Sequence, residues 1–358
     1  MLSLVVAALV IKSLQPLQQL PIDPGTEVPT YGYARDAQFE YLATPQGLYR
    51  APRLATSQPQ LIAFGGEAVH AVAINDGALY VAKGAVNEAA THPKHTFVRS
   101  TDHGATFTNL DAGLLDCSLL PCAYLVPTRI AFGPDRIYVN AGGNILATGD
   151  DGASWQQLYG LQVNGKPAAQ VCPVKFELTG ARMLLGGECP LDVAWLHRGT
   201  LKENLLEWAD EPVPVTAPEM ENRNIQFIRH VGDDDVYAGI EGALLKSTDG
   251  GESFRYVLHY DLEAPDRYPY LGQFVIVPQD PRVMLIGGFD KKNAVGYLAW
   301  SRDGGESWQD VSYLVGPAFV SLLTVDADGR VLIGLQDGSR FVLAEVVLGE
   351  QVKRRAVR

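Results

Sequence analysis

Charge is scarce in this chain, and what there is leans one way. Of 358 residues 20% are charged, 29 basic and 41 acidic, for a net charge of −12 and against a usual charged share of ~25%. Such a surface does not bind nucleic acid or an anionic membrane in bulk, because neutralising phosphate needs clustered Lys and Arg. The one dense basic run, Lys353, Arg354, Arg355 and Arg358, reads as a solvated tail over 351–358. Long apolar runs are missing as well. No stretch reaches the ~18 residues of a membrane-spanning helix, so no transmembrane span is expected. Also absent are a phosphate loop, a dinucleotide fingerprint and a Gly-x-Ser-x-Gly elbow, so no cofactor is expected. His92 and His95 stand three apart without an evident third ligand, and no metal site is expected.

What the chain does have is turns and repetition. Its 36 glycines and 22 prolines exceed average usage, and 47% hydrophobic residues suffice for a large core. The length alone allows two or three domains or one repetitive domain. A repeat decides between them. Four segments share the pattern Ser/Thr-x-Asp-x-Gly-x-Ser/Thr-aromatic: Ser100 to Phe107, Thr148 to Trp155, Ser247 to Phe254 and Ser301 to Trp308. Their aspartates Asp102, Asp150, Asp249 and Asp303 are 48, 99 and 54 apart, so one copy has decayed near residue 200. Each segment reads as a hairpin turn: Gly for positive φ, Asp to accept turn N–H groups, hydroxyls for nearby backbone, and an aromatic anchor. These four aspartates are therefore read as structural.

The segments resemble the Asp-box (BNR) repeats of sialidases, xyloglucan-cleaving glycosidases, the luminal domain of sortilins and photosystem II assembly or stability factors. The resemblance implies a β-propeller. Strand pairs precede each box, and the same pair recurs without a box at 172–187, 320–334 and 31–43, giving seven modules of ~50 residues. The expected fold is all-β, a single propeller of seven four-stranded blades over 31–350, preceded by an N-terminal segment and linker over 1–30. The seventh module lacks a fourth strand, and closure requires one. Residues 4–9 or 352–357 are the candidates, the more apolar N-terminal segment being the better. Residues 2–11 read equally as that strand or as a remnant of an export signal.

Four cysteines form two candidate pairs, Cys117 with Cys122 and Cys172 with Cys189. Two disulfides, free buried thiols and a four-cysteine metal site are all open readings, the first favoured by the absence of a Cys-x-x-Cys knuckle. If the hairpin turns at Gly180 and Ala181, cross-strand partners sum to 361, as 172 and 189 do. Disulfides point to an exported protein, periplasmic or extracellular.

In this family ligands bind opposite the boxes, at the mouth of the central channel; the resemblance implies the same here. The loop over 258–273 carries Tyr260, Asp266, Arg267, Tyr268 and Tyr270, a Tyr-and-charge mixture suited to sugar or peptide. Turns between second and third strands add Glu188, Glu241, Asp290 and Asp337. Tyr49-Arg50-Ala51-Pro52 resembles the sialidase Phe/Tyr-Arg-Ile/Leu-Pro motif, whose Arg binds a substrate carboxylate, which makes Arg50 a candidate catalytic residue. No suitable acid accompanies it between 53 and 99, and Arg50 aligns with an ordinary third strand. The reading that results is a monomeric, non-catalytic scaffold for a protein or glycan partner, with a glycoside hydrolase as the alternative.

Overall fold

The computed structural model describes residues 8–16, 32–53, 59–84, 96–112, 114–116, 123–160, 162–163, 166–167, 173–187, 194–202, 205–209, 211–215, 225–260, 269–290, 293–326, 328–337 and 340–349. Seven antiparallel sheets, each with a path of four strands, form the blades; in the first six the strand order is the sequence order, and in the fourth a short extra strand, Val213–Pro214, also pairs with the third. First strands pack against the first strands of neighbouring blades, so they line the axis and the fourth strands stand outermost. The first strands are Gly32–Arg35, Val69–Asn75, Pro127–Phe132, Pro173–Thr179, Ile225–Val231, Pro269–Ile276 and Phe319–Val325, defining blades 1 to 7. The chain is an all-β seven-bladed propeller.

Blade 7 takes its fourth strand from the other end of the chain. Ala8–Pro16 pairs antiparallel with Arg340–Gly349, from Ala8 opposite Gly349 to Pro16 opposite Val342. The closing strand is thus N-terminal as expected; its described part shares Ala8 and Leu9 with the expected 4–9 and runs on to Pro16. The tail over 351–358 and all four cysteines fall outside the described residues. The register beside both candidate pairs is described. Blade 4 holds the partner sum of 361 from Thr179 and Arg182 to Lys175 and Gly186, then a bulge shifts Pro173 opposite Gly187. A short ladder pairs Leu115 with Tyr124 and Asp116 with Ala123, the sum of 239 that Cys117 and Cys122 share.

Six of the seven seams between blades are filled by apolar clusters of nine or more buried side chains. Among the described residues the seam between blades 7 and 1 holds three, Leu42, Leu322 and Phe341, with the half-buried Tyr33, Tyr49 and Leu343 packed against them. Charge supplements it. Asp326 of blade 7, wholly buried, accepts Arg35 Nη1 of blade 1 at 2.7 Å, where Arg35 is 3% exposed. Arg330 Nε reaches the same oxygen at 2.6 Å. Arg35 Nη2 and Arg53 Nη2 also hold Asp328, whose carboxyl sits below its ordinary pKa because Arg35 first, and then Arg53, donate to it.

The four repeated turns join third to fourth strands and share one hydrogen-bond scheme. In the first, Ser100 Oγ donates to Asp102 Oδ1 at 2.7 Å and accepts the Gly104 N–H at 2.7 Å, while Asp102 accepts the Thr106 N–H at 2.9 Å and its hydroxyl at 2.6 Å. Asp150, Asp249 and Asp303 repeat it. All four carboxyls lie below their ordinary pKa, Asp150 at about 2, mainly through the hydroxyl bonds from Thr106, Ser154, Ser247 and Ser307. A carboxylate with a lowered folded pKa stabilises the fold above its unfolded value, ~3.9, and that stability disappears as pH falls through the folded value. The urea midpoint should therefore decline between about pH 4 and pH 2. Asp150→Asn should lower it at pH 7 yet converge on the parent near pH 2, and a constant gap across that range would refute the linkage.

The turns also tie blades together. Blade 1 sends Arg50 Nη1 to the His103 carbonyl of blade 2 at 2.6 Å, Arg99 reaches Asp151 of blade 3 at 2.7 Å, Arg198 reaches Glu252 of blade 5 at 2.8 Å, and Arg255 reaches Glu306 of blade 6 at 2.7 Å. Blade 4, the decayed copy, runs its third strand Trp195–Lys202 straight through the position of the turn. It keeps the aromatic anchor, since Trp208 Nε1 donates to the Leu158 carbonyl at 3.2 Å much as Trp155 donates to the Leu110 carbonyl at 3.0 Å.

Candidate functional site

Antiparallel order puts the first-to-second and third-to-fourth turns on one face of the ring. The second-to-third turns and the loops between blades lie on the other. Arg50 is on the face of the repeated turns, its guanidinium 4.4 Å from the Phe39 ring centroid and its Nη1 on His103. The remaining rim candidates that are described lie on or lead to the opposite face. Asp266, Arg267, Tyr268 and Glu188 fall outside the described residues.

Several of these candidates are already engaged. Tyr260 is half-buried, set edge-on to Tyr297 at 5.6 Å between centroids with the two hydroxyls in contact, and burial pushes its pKa up to about 12. Asp290 spends its carboxylate within its own turn, accepting the Asn293 N–H at 3.1 Å and its Nδ2 at 2.7 Å. Glu241 lies in the turn of blade 5, and Asp337 is exposed, opposite Arg340. Tyr270 opens the first strand of blade 6 and pairs with Phe289, whose ring meets Phe319 of blade 7 edge-on at 4.2 Å. The Phe289 and Phe319 rings thus meet across the seam between blades 6 and 7. On the loop between those blades, Tyr313 is 78% exposed. Sequence reading missed Tyr313 because its loop is short and unremarkable in composition.

Below the mouth the channel carries charge. Six first strands bulge near their starts, at His70, Thr128, Val174, Gln226, Leu271 with Gly272, and Ser321. Three bulged side chains return to second-strand carbonyls: His70 to Gly84 at 2.7 Å, Thr128 to Asn140 at 3.5 Å and Ser321 to Gly334 at 3.3 Å. A bulge re-aims the residue after it, and in blade 3 that residue is Arg129. Its guanidinium feels Arg229 of blade 5 and Glu177 of blade 4. Blades 3 and 5 are not neighbours, so the influence of Arg229 on Arg129 does not run through a shared seam.

Burial first, then Arg229, pull Arg129 down to about 10. Burial raises the Glu177 carboxyl against the pull of Arg229 and Arg129. Glu177 also accepts the His230 N–H at 2.9 Å, and Arg229 Nη1 donates to the Ile228 carbonyl at 2.9 Å. The sequence signal was present: Arg129, Glu177 and Arg229 interrupt otherwise apolar strands. Among the described residues no three His, Cys, Asp or Glu side chains gather as a metal ion requires, and no helix is long and apolar enough to cross a membrane.

No family model and no curated protein matches the sequence. Solved structures do match the fold. YCF48 from Cyanidioschyzon merolae is similar over 92% of this chain and 98% of its own, with a TM-score of 0.61 and 16% identity. The extracellular domain of a putative one component system from B. thetaiotaomicron gives 0.60 at 11% identity over 92% of this chain and 40% of that one. A GH74 xyloglucanase from Xanthomonas campestris gives 0.60 at 16% identity over 92% and 52%. At these identities the likeness speaks for the fold alone.

Proposed function

We propose that the chain is an Asp-box propeller, exported and monomeric, that acts as a non-catalytic scaffold and binds a protein or glycan partner through the face opposite its repeated turns. The observation that carries this reading is Tyr313, the most exposed large apolar side chain among the described residues, standing on that face in the loop between blades 6 and 7. Exposed aromatics anchor interfaces because they bury much area at little entropic cost. Against the hydrolase, the charges that act on Glu177 are two guanidiniums, whereas glycosidases of the usual kind set a second carboxylate ~5–9.5 Å away.

The test is capture by the immobilised full chain from an envelope extract and on a glycan array. Tyr313→Ala should lower capture at least tenfold without changing the urea midpoint. Turnover of sialyl or glucan substrates that Glu177→Gln abolishes would overturn the scaffold and install the hydrolase. Export supposes paired cysteines, and the 115–124 ladder favours Cys117 with Cys122. Thiol titration in denaturant without reductant should find no free thiol in protein secreted from cells; four reactive thiols would count against export.

A further inference from the structure

We propose that the seam between blades 3 and 4 holds an acid-released latch, with the His197 imidazole as its bolt, which frees the segment leading into blade 5 when the ring becomes charged. The inference stands apart from the scaffold reading, since the latch works whichever partner the outer face holds.

Among the described residues His197 is the one buried histidine, 4% exposed. It stands on the third strand of blade 4, and both of its ring nitrogens are engaged. Nε2 lies 2.7 Å from the Ala209 carbonyl, which only accepts, so Nε2 carries the hydrogen. Nδ1 lies 3.2 Å from the hydroxyl of Tyr159, the last residue of the fourth strand of blade 3. With its hydrogen on Nε2, the neutral ring accepts the phenol hydrogen at Nδ1. Aromatic rings close the site. Tyr159 stands edge-on to His197 at 5.5 Å between centroids and to Trp208 at 4.9 Å, and Trp208 lies 5.1 Å from His197. Trp208 Nε1 itself crosses the seam to the Leu158 carbonyl at 3.2 Å.

A charged ring does not fit this site. A proton on Nδ1 would face the Tyr159 hydroxyl, which would have to turn its own hydrogen away, and no carboxylate among the described residues bonds the ring. His103 is the contrast: partly exposed, it has Asp36 Oδ2 2.8 Å from its Nδ1. Burying a charge without a counter-charge is costly, so a charged His197 swings toward water and gives up both bonds at once. The titratable and charged groups that face it are Tyr159 from blade 3, Arg198 from its own strand and Glu211 from the segment after the fourth strand. Burial holds the imidazole below its ordinary pKa, helped by Arg198 and opposed by the Ala209 carbonyl and Glu211. A histidine with a lowered folded value stabilises the fold fully above its unfolded value, ~6.5, and that stability is lost as pH falls from there through the folded value.

The bolt holds a particular length of chain. After the fourth strand the chain doubles back along the third: the Ala209 N–H donates to the Arg198 carbonyl at 2.8 Å, Val213–Pro214 pairs with Trp195 and Leu196, and the Val215 N–H donates to the Ala194 carbonyl at 2.9 Å. This segment leads to blade 5 on the face opposite the repeated turns. The bond from His197 to Ala209 fastens its root, so charging the ring loosens the root and the contact with Tyr159 together.

The test is hydrogen exchange of the full chain at about pH 7.5 and about pH 5, each rate corrected for the intrinsic rate at that pH, with urea midpoints over the same range. Exchange at the Ala209 and Val215 amides should quicken at least tenfold in acid. The Val311 amide of blade 6, bonded to the Leu298 carbonyl at 2.9 Å, should keep its protection. His197→Gln, whose amide nitrogen reaches Ala209 as Nε2 does but takes no charge, should remove the acceleration and most of the fall in midpoint. If that variant fails to fold, the parent decides alone, because acceleration confined to the seam of blades 3 and 4 supports the latch. Acceleration spread evenly over the blades, none in the parent, or an equal acceleration in His197→Gln would overturn it.

Discussion

Asp326→Ala should destabilise the propeller by about 3–5 kcal/mol, the range for breaking a buried ion pair by removing one partner. The substitution takes from Arg35, 3% exposed, the buried one of its two carboxylate contacts and leaves the Arg330 guanidinium without its 2.6 Å bond. It also orphans the N–H groups of Asp328 and Arg330, which Asp326 Oδ1 accepts at 2.9 Å each. Among the described residues the seam it serves has the smallest apolar cluster, so the ion pairs there carry a larger share of the contact between blades. Asp326→Asn keeps the shape and one acceptor and should fall between. The urea midpoint and slope measure the effect, and a loss under 1 kcal/mol would show that the N-terminal strand closes the ring unaided. Exposed pairs such as Arg99 with Asp151, by contrast, are worth ~0–1 kcal/mol, so Arg99→Ala is the control.

That seam also shows which features a sequence reveals. Every bond within a repeated turn joins residues no more than four apart, so residue type and spacing state the structure directly, and four copies fix the blade. Strand pairs joined by tight turns were legible for the same reason. Arg35 and Asp326, however, are 291 residues apart, and nothing local marks them as partners. The closing strand was expected to end at residue 9 and runs on to Pro16, because apolar content, the signal used, does not set register; pairing with Arg340–Gly349 does.

The rim was less legible than the ring. Tyr260 looked like a ligand contact by type and position, yet its ring packs against Tyr297. Arg129, Glu177 and Arg229 were visible as charges within the first strands of blades 3, 4 and 5, but nothing local in those strands relates one to another. The bulges that aim them are a property of the ladder, without a glycine or proline signal of their own in most blades.

Gly152→Ala is expected to cost roughly 2–5 kcal/mol, and the sum has two parts. Gly152 has φ of +80°, where an L side chain adds ~1–2 kcal/mol. A Cβ there would also stand 2.0 Å from the Leu110 carbonyl oxygen, 2.6 Å from its carbon and 2.7 Å from its Cα. These are backbone atoms at the edge of blade 2 that cannot rotate aside, and overpacking of this kind adds ~1–3 kcal/mol. The same carbonyl accepts Trp155 Nε1 at 3.0 Å, so any shift that relieves the clash breaks the anchor between blades 2 and 3. Gly304 separates the two parts: its φ is +76°, and nothing lies within 4 Å of its would-be Cβ. Gly304→Ala should therefore carry the conformational part alone, ~1–2 kcal/mol. Equal losses at the two positions, read from urea midpoints, would mean that the glycine of the turn is there for its φ and not for the close approach of one blade to the next. Unequal losses would make the turn at Gly152 a spacer between blades 2 and 3 as well as a hairpin, a role that its counterpart Gly305 does not share, since nothing lies nearer to its would-be Cβ than Met284 Sδ at 3.7 Å.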